Sequence, residues 1–231
     1  MSEITPAEWT AILLSLRVAV IATLVATPFG IALAWLLARH NFWGKSALDA
    51  LVHLPLVLPP VVTGYLLLLA LGRRGLIGAW LADNLGIVFA FRWTGAALAC
   101  GVMSFPLLVR PIRLSIEAID RRLEQAASTL GAAPWKVFAT VTLPLALPGI
   151  LAGMVLGFAK AIGEFGATIT FVSNIPGETQ VISSAIYSLI QTPDGDAAAM
   201  RLVIISIVIA TAALIGSEWF ARRATQRLHG N

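Results

Sequence analysis

The feature that most constrains this chain is a series of long apolar runs that contain almost no ionisable residues. The runs cover 18–38, 50–72 (interrupted by His53 alone), 93–109, 137–159 and 202–217. A hydrocarbon core about 30 Å thick requires roughly 20 residues of helix, so each run predicts a transmembrane helix. Because the fourth run begins beside a polar loop, we place its membrane helix at 142–165. We therefore predict an all-α integral membrane protein with five transmembrane helices.

The composition favours lipid over water as the solvent of this chain. Hydrophobic residues make up 58% of the 231 residues and charged residues 12%, against roughly 25% charged residues in a soluble domain. The core of such a chain could not hide this much apolar surface. We expect one membrane domain over 1–231, surrounded by lipid. In a membrane protein the positions of the charged residues are more informative than their sum. The net charge of +4 therefore does not indicate a nucleic-acid partner.

The sequence contains no motif of an enzyme or of a metal site. A Walker A sequence, G-x-S-x-G and H-E-x-x-H are all missing. Cys100 is the single cysteine, and His40, His53 and His229 are too far apart in sequence for a local metal motif. We expect no catalytic residues, no metal and no cofactor in this chain. For His53 we expect a hydrogen bond to a neighbouring helix.

The basic residues predict which helix ends face the cytoplasm. The segments after the first, third and fifth helices hold ten of the sixteen Lys and Arg residues: Arg39, Lys45, Arg110, Arg113, Arg121, Arg122, Lys136, Arg222, Arg223 and Arg227. The opposite side holds Arg73, Arg74 and Arg92. Since cytoplasmic loops carry an excess of basic residues, we predict an outer N-terminus and a cytoplasmic C-terminus.

Four other segments carry weaker patterns. Residues 76–91 form either a sixth span or a re-entrant piece, because Asp83, Asn84 and Gly86 interrupt them. The first nine residues contain no basic residue, so we expect no cleaved signal peptide. The sequence Glu218-Trp219-Phe220 predicts an interfacial anchor after the fifth helix. An outer-side loop at about 166–198 should fold back between the fourth and fifth helices and help to meet an external partner.

An amphipathic segment follows the third transmembrane helix. In a helix over 116–130, one stripe is formed by Ile116, Ile119, Leu123, Ala126 and Leu130. Gly131 suits the left-handed residue after a helix, and Pro134 suits the first turn of another helix. The sequence thus predicts a helix, a sharp turn and a second helix within a cytoplasmic loop at about 110–141. The stripe fits docking against another protein or a helix that lies on lipid headgroups.

The residue order in this loop resembles the cytoplasmic EAA loop of ABC importer permeases. That pattern is Glu-Ala-Ala, three residues, Gly, nine residues and Ile-x-Leu-Pro. The chain matches it at Ala126, Ala127, Gly131, Leu143 and Pro144, with Val141 in place of Ile. Gln125 occupies the Glu position and Glu124 precedes it, which leaves open which side chain makes the polar contact. The resemblance implies a coupling helix seated in a cleft of a nucleotide-binding subunit.

Four further blocks resemble the permease subunit of bacterial molybdate importers. They are HLPLVLPPVVTGYLLL at 53–68, GRRGLIG at 72–78, MSFPLLVRPIRL at 103–114 and GEFGATITFVSNIPGETQ at 163–180. The resemblance implies a type I ABC importer permease fold, a multi-pass protein of the bacterial cytoplasmic (inner) membrane, and molybdate, often also tungstate, as substrate. A sulfate or other oxyanion permease and an ATP-independent channel or secondary carrier are the alternatives.

The same resemblance implies the partners of the chain. They are a second copy of the chain, two ATP-binding subunits, which use the ATP and Mg, and an extracytoplasmic molybdate-binding protein. Composition and periodicity alone indicate none of these partners.

Prolines and one ionisable pair are candidates for the translocation pathway. Pro59 and Pro60, after Pro55, interrupt the second run and indicate either a pathway helix that bends or a static kink. Lys160 and Glu164 are four residues apart and should share a helix face. The pair either attracts an oxyanion through Lys160 or neutralises itself and steadies the helix end.

Small and polar residues after this pair extend the candidate pathway. Thr168, Thr170, Ser173 and Asn174 could donate hydrogen bonds to an oxyanion. Equally, threonines in a membrane helix often bond to their own backbone. Gly163 and Gly166 permit close helix contact, which fits a gate or ordinary packing.

Overall fold

A computed structural model describes residues 4–229, with side chains described for residues 4–216. Within this range every regular element is helical. The helices are α1 (Pro6–Arg39), α2 (Lys45–Val57), α3 (Pro60–Leu71), α4 (Leu76–Leu85), α5 (Trp93–Glu117), α6 (Arg121–Thr129), α7 (Pro134–Val137), α8 (Leu143–Ile162), α9 (Gly166–Val172), α10 (Ile182–Leu189) and α11 (Asp196–His229), with a π-helical segment, Phe138–Thr142, between α7 and α8. The all-α prediction is confirmed. The predicted anchor Glu218-Trp219-Phe220 lies outside the residues with described side chains.

Four helices of the described chain are long and apolar enough to cross a membrane. They are α1, α5, the continuous helix Pro134–Ile162 and Asp196–Gly216 of α11. Helices α2 and α3 qualify together as a fifth span, but their axes are bent by 114°. Four of the predicted spans therefore correspond to single helices, and the second does not.

The break between α2 and α3 has its cause in two successive prolines. Neither Pro59 nor Pro60 has a backbone N–H, and the residue before a proline is driven to an extended conformation. Leu58 and Pro59 are extended, with ψ of 143° and 134°, so α2 ends and α3 restarts with Pro60 in its first turn. At 1.5 Å per residue each half rises only about 20 Å, which is less than the hydrocarbon thickness. The predicted span at 50–72 is thus corrected to a broken pair of helices.

Helix α4 is too short to be the sixth span considered at 76–91. It ends at Leu85 because Gly86 adopts the left-handed conformation, with φ of +66°. Its ten residues rise about 15 Å, roughly half of a hydrocarbon core. Of the two predictions for this segment, the re-entrant or interfacial piece fits its length.

The core is built where α5 packs between α1 and α8. Leu108 of α5 is fully buried and faces Gly30 of α1 and Gly153 of α8. Small side chains let helix backbones approach closely, which is how helices gain contact in lipid. The three helices contribute further buried small residues, namely Ala19, Ala34, Ala96, Ala99 and Ala146.

Ion pairs between helices mark the two ends of the bundle. At the α6 end, Arg39 contacts Glu124 at 3.0 Å and Arg113 contacts Asp49 at 2.9 Å. At the opposite end, called the α10 end, Glu8 of α1 pairs with Arg201 of α11 at 2.8 Å. Helices α1 and α11 therefore both begin at the α10 end. The assignment of the α6 end to the cytoplasm stays a prediction from the basic residues.

Helix α5 extends two turns beyond its apolar run. The sequence predicted a span at 93–109 and then a loop, but α5 ends at Glu117. Arg113 stabilises the extension, because its guanidinium donates to Asp49 of α2 at 2.9 Å and to Glu117 at 2.8 Å. Residues 110–117 of the predicted loop at about 110–141 are therefore helical.

Replacing Gly153 with Ala should destabilise the packing of α8 on α5. A Cβ at this position would lie 2.5 Å from the carbonyl oxygen of Leu108, so the helices must separate. We expect a loss of about 1–3 kcal/mol, measured by thermal unfolding in detergent. Gly163→Ala is the matched control, because its Cβ would lie 3.9 Å from the nearest atom. Equal melting temperatures for the two variants would contradict this account of the packing.

Candidate coupling surface and translocation pathway

Helix α6 is delimited by a local cap at each end. The Asp120 carboxylate accepts a hydrogen bond from the backbone N–H of Arg122 at 2.9 Å, which is the usual role of Asp before the first helical residue. After the helix, Gly131 has φ of +85°, and the N–H of Ala132 bonds back to the carbonyl of Ala127 at 3.2 Å. Pro134 then begins α7. The predicted turn at Gly131 and the second helix are confirmed.

The predicted helix over 116–130 is wrong in its first part. Ile116 belongs to α5, and the chain leaves the helix at Ala118 before Asp120 starts α6 in a new direction. Ile116 and Ile119 are buried in the core, whereas Leu123 and Leu130 are 50% and 89% exposed. The predicted stripe is therefore divided: its first two residues hold α5 in place, and the others lie on the outer face of α6.

The Glu124 carboxylate turns inward and contacts two other elements. One oxygen lies 3.0 Å from Nε of Arg39, the last residue of α1. The other accepts hydrogen bonds from the same Nε at 3.2 Å and from Thr142 Oγ1 at 2.6 Å. The side chains of Glu124 and Arg39 are 18% and 9% exposed. Glu124 is thus engaged within the chain, and Gln125 beside it is exposed.

The remaining motif residues lie around α6 and at the start of α8. Ala126 is exposed and Ala127 is half-buried. Leu143 and Pro144 are half-buried at the first turn of α8, directly after the π-helical segment. Pro144 lacks an N–H, and the wider turn before it closes with the bond from Leu143 N–H to the carbonyl of Phe138. The motif therefore connects the exposed α6 to a core helix.

Lys160 and Glu164 form an ion pair at the end of α8. Helix α8 ends at Ile162, so Glu164 lies just beyond it, in the connector to α9. Lys160 Nζ lies 2.8 Å from Glu164 Oε2, and Glu164 Oε1 accepts the N–H of Ala167 at 3.0 Å. Both carboxylate oxygens have partners, and the Glu164 side chain is 1% exposed. This geometry favours self-neutralisation over an anion site at Lys160.

Two of the candidate hydroxyl donors bond to their own backbone. Thr168 Oγ1 donates to the carbonyl of Phe165 at 2.9 Å, and Thr170 Oγ1 donates to that of Gly166 at 2.7 Å. Ser173 is exposed and has φ of +66°, which ends α9. Asn174 donates to Ser188 Oγ at 2.7 Å, while its Oδ1 is buried without a partner in the described structure.

Pro60, one of the two candidate prolines, contacts the α9 segment. A Cβ on Gly166 would lie 2.7 Å from Pro60 Cβ, and one on Gly64 would lie 2.8 Å from Ala167 Cα. The broken span and α9 therefore pack backbone to backbone. Gly163, by contrast, makes no such close approach.

Sequence reasoning missed one polar group at this contact. Thr63 of α3 is 6% exposed, and its Oγ1 has no hydrogen-bond partner in the described structure. It follows Pro60 by one turn and is adjacent to Gly64. A threonine three residues after two successive prolines in an apolar run was the available signal.

The segment between α9 and α11 packs on α1 and α11. Ile182 and Ala185 of α10 share a buried cluster with Ile12 and Leu202, and the N–H of Ile182 donates to Ser15 Oγ at 2.7 Å. The predicted outer-side loop at about 166–198 therefore contains α9 and α10. The neighbours of α10 are the first and last helices of the bundle.

The hydrogen bond of His53 differs from the expected one. Its Nδ1 lies 2.8 Å from the carbonyl of Asp49 in its own helix, and among residues 4–216 no neighbouring helix supplies a hydrogen-bond partner. Among the described residues, no group of three or more His, Cys, Asp or Glu side chains could hold a metal ion.

Comparison with known proteins gives the family of the chain. Residues 26–226 match the family model described as "Binding-protein-dependent transport system inner membrane component". The molybdenum transport system permease protein ModB of Escherichia coli strain K12 is 62% identical over 97% of this chain and 98% of that protein. ModB of Haemophilus influenzae is 58% identical over 96% of each chain. A probable sulfate transport system permease protein of Chlorella vulgaris is 36% identical over 92% of this chain and 80% of that protein.

Solved structures with the same fold have low sequence identity. One chain of a bacterial ABC transporter that imports alginate has a TM-score of 0.75 and 21% identity, and the match covers 95% of this chain and 80% of that chain. The alginate transporter has also been solved with its periplasmic protein bound to an alginate pentasaccharide. A chain of an amino acid ABC transporter has a TM-score of 0.64 and 18% identity, over 96% and 99% of the two chains. These matches show the fold of an ABC transporter membrane subunit.

The family match spans most of the chain, and the relatives align over nearly its whole length. The chain is therefore a transport component and not an enzyme, and it belongs to the family of binding-protein-dependent transport system inner membrane components.

Proposed function

We propose that this chain is the permease subunit of an ATP-driven importer that moves molybdate into the bacterial cytoplasm. The 62% identity to the E. coli molybdenum transport permease, over nearly the full length of both proteins, carries the proposal. The probable sulfate permease is only 36% identical, so sulfate is the second candidate substrate. The location that fits this function is the cytoplasmic (inner) membrane.

Helix α6 is the surface proposed to meet the ATP-binding subunit. Gln125 and Ala126 are exposed on it and Leu130 is exposed directly after it, and the small side chain of Ala126 permits a close approach. Two copies of the chain would present two such helices, one for each ATP-binding subunit. ATP and Mg would bind to those subunits, because this chain has no Walker A sequence.

The α3–α9 contact and the connector before it form the proposed pathway. Lys160 is neutralised by Glu164, so the region offers no deep anion site that would slow release. Ser173, Asn174 and the newly identified Thr63 supply uncharged polar groups there. The bend at Pro59 and Pro60 packs against Gly166 and gives a place for the helices to pivot during alternating access.

The proposed external partner is a molybdate-binding protein that docks at the α10 end. The solved alginate transporter, whose membrane chain has the same fold, includes a ligand-loaded periplasmic protein. Helix α10 lies between the pathway segment and the first and last helices, so a partner seated there would act on all three.

The substrate prediction is tested with the purified complex in liposomes. The chain, its ATPase subunit and the binding protein should accumulate molybdate only when ATP is present. An excess of tungstate should compete because it is also a tetrahedral oxyanion of similar size, whereas an equal excess of sulfate should not. Inhibition by sulfate and not by tungstate would support sulfate as the substrate. Uptake by the chain without ATPase subunits would contradict an ABC importer.

Replacing Gly131 with Val should uncouple transport from ATP hydrolysis. A β-branched residue at φ of +85° costs about 1–2 kcal/mol, so the turn that orients α6 would rearrange. We expect molybdate uptake to fall at least fivefold while the protein stays in the membrane. Gly86→Val is the matched control, because Gly86 is equally left-handed and open but lies after α4. Equal uptake by the two variants would contradict the coupling role of the turn.

Removing one member of the Lys160–Glu164 pair should destabilise the protein more than removing the charges of both members. Lys160→Met leaves a buried carboxylate without its cation, at a cost of about 3 kcal/mol. The double variant Lys160→Met/Glu164→Gln should recover most of the melting temperature in detergent. If the pair only steadies the structure, the double variant should also recover molybdate uptake. Recovery of stability with no uptake would instead place Lys160 in the anion pathway.

A further inference from the structure

We propose that Glu124 is a positioning residue that ties the coupling helix α6 to α1 and α8. Its carboxylate would carry the movement of α6 into the membrane core, while the exposed face of α6 meets the ATP-binding subunit. This inference rests on the proposed function.

One carboxylate joins three elements at this point. It belongs to α6, and it contacts Arg39 at the end of α1 and Thr142 at the junction with α8. Arg39 also donates to the carbonyl of Ile119 at 3.2 Å, in the connector that leads from α5 to α6. Arg39 therefore holds both the helix and its approach.

The burial of the group separates this contact from an ordinary surface ion pair. Exposed pairs contribute little, because water screens them and the side chains are mobile. Here Arg39 is 9% exposed and Thr142 is 1% exposed, and the carboxylate accepts a charge-assisted and a short hydroxyl hydrogen bond. Such a group has a fixed position, so α6 cannot shift without moving its partners.

Glu124 is the main polar group on the inner side of α6. Of the nine helix residues, only Glu124 and Ala127 are half-buried, and the other seven are exposed. Ala127 offers a methyl group and no directional bond. The position of α6 relative to the bundle therefore depends strongly on the Glu124 carboxylate.

The helices that Glu124 contacts are two that pack closely on α5. Gly30 of α1 lies against the Leu108 side chain, and Gly153 of α8 lies against the Leu108 carbonyl oxygen. Because packed helices move as rigid bodies, a displacement at Arg39 and Thr142 reaches the core through α1 and α8 together. A contact to a single helix would not act on both of these neighbours of α5.

The test uses the full transporter in liposomes and measures molybdate moved per ATP hydrolysed. Glu124→Gln keeps the shape but removes the charge, and we expect this ratio to fall about five- to tenfold. The double variant Arg39→Glu/Glu124→Arg, which exchanges the two charges, should restore part of this ratio. Neither single charge reversal should restore it. A purely structural role would lower uptake and hydrolysis in parallel and leave the ratio unchanged.

Thr142→Val is a milder second variant that removes one hydrogen bond and keeps the volume. It should lower the same ratio about two- to threefold. Glu117→Gln is the matched control, because it removes a carboxylate paired with Arg113 within α5 and does not touch α6. Its ratio should equal that of the unmodified transporter.

Three results would overturn the proposal. Loss of the ATPase subunits from Glu124→Gln on purification would make Glu124 a contact to the partner. An unchanged ratio in both Glu124→Gln and Thr142→Val would show that the tether carries no movement. If the unmodified complex moved no molybdate, the proposed function would fail as well, whereas normal transport with unchanged variants contradicts the tether alone.

Discussion

The close packing of α5 between α1 and α8 is the contact on which the rest of the structure depends. In lipid, apolar side chains gain little from facing one another, so helices associate through close van der Waals contact. Leu108 has this contact on two sides because Gly30 and Gly153 have no side chain. The same three helices end or begin beside α6. A closely packed core therefore connects α6, the proposed partner surface, to the middle of the membrane domain.

The broken span and the α8–α9 connector both leave backbone groups without helical partners, and each segment covers the other. Each interrupts a helix, and free backbone groups at membrane depth are tolerated only inside protein or beside a cavity. The structure places the two interruptions against each other, with Pro60 on Gly166 and Gly64 on Ala167. The irregular backbone is thus covered by protein.

The sequence could predict elements whose causes are local. Apolar length gave four spans, and Gly131 gave the turn after α6. Asp120 is an equally local signal, because an Asp before the first helical residue marks the start of α6. That signal separates α6 from Ile116. The extension of α5 and the inward turn of Glu124 could not be read in this way. They depend on Asp49 and Arg39, which are 64 and 85 residues away from their partners in sequence.

Several charges in the described part of the bundle are paired within the chain. Glu164 forms an ion pair with Lys160, and Glu8 forms one with Arg201. The Arg17 guanidinium lies 3.8 Å from the centre of the Trp93 ring. On the proposed pathway, an oxyanion would meet hydroxyl and amide groups and a Lys160 that is already paired with Glu164. Conduction requires binding that is strong enough for entry and weak enough for release. If the proposed binding protein delivers the anion, that protein supplies the affinity, and a permease without a tight anion site would release its cargo faster.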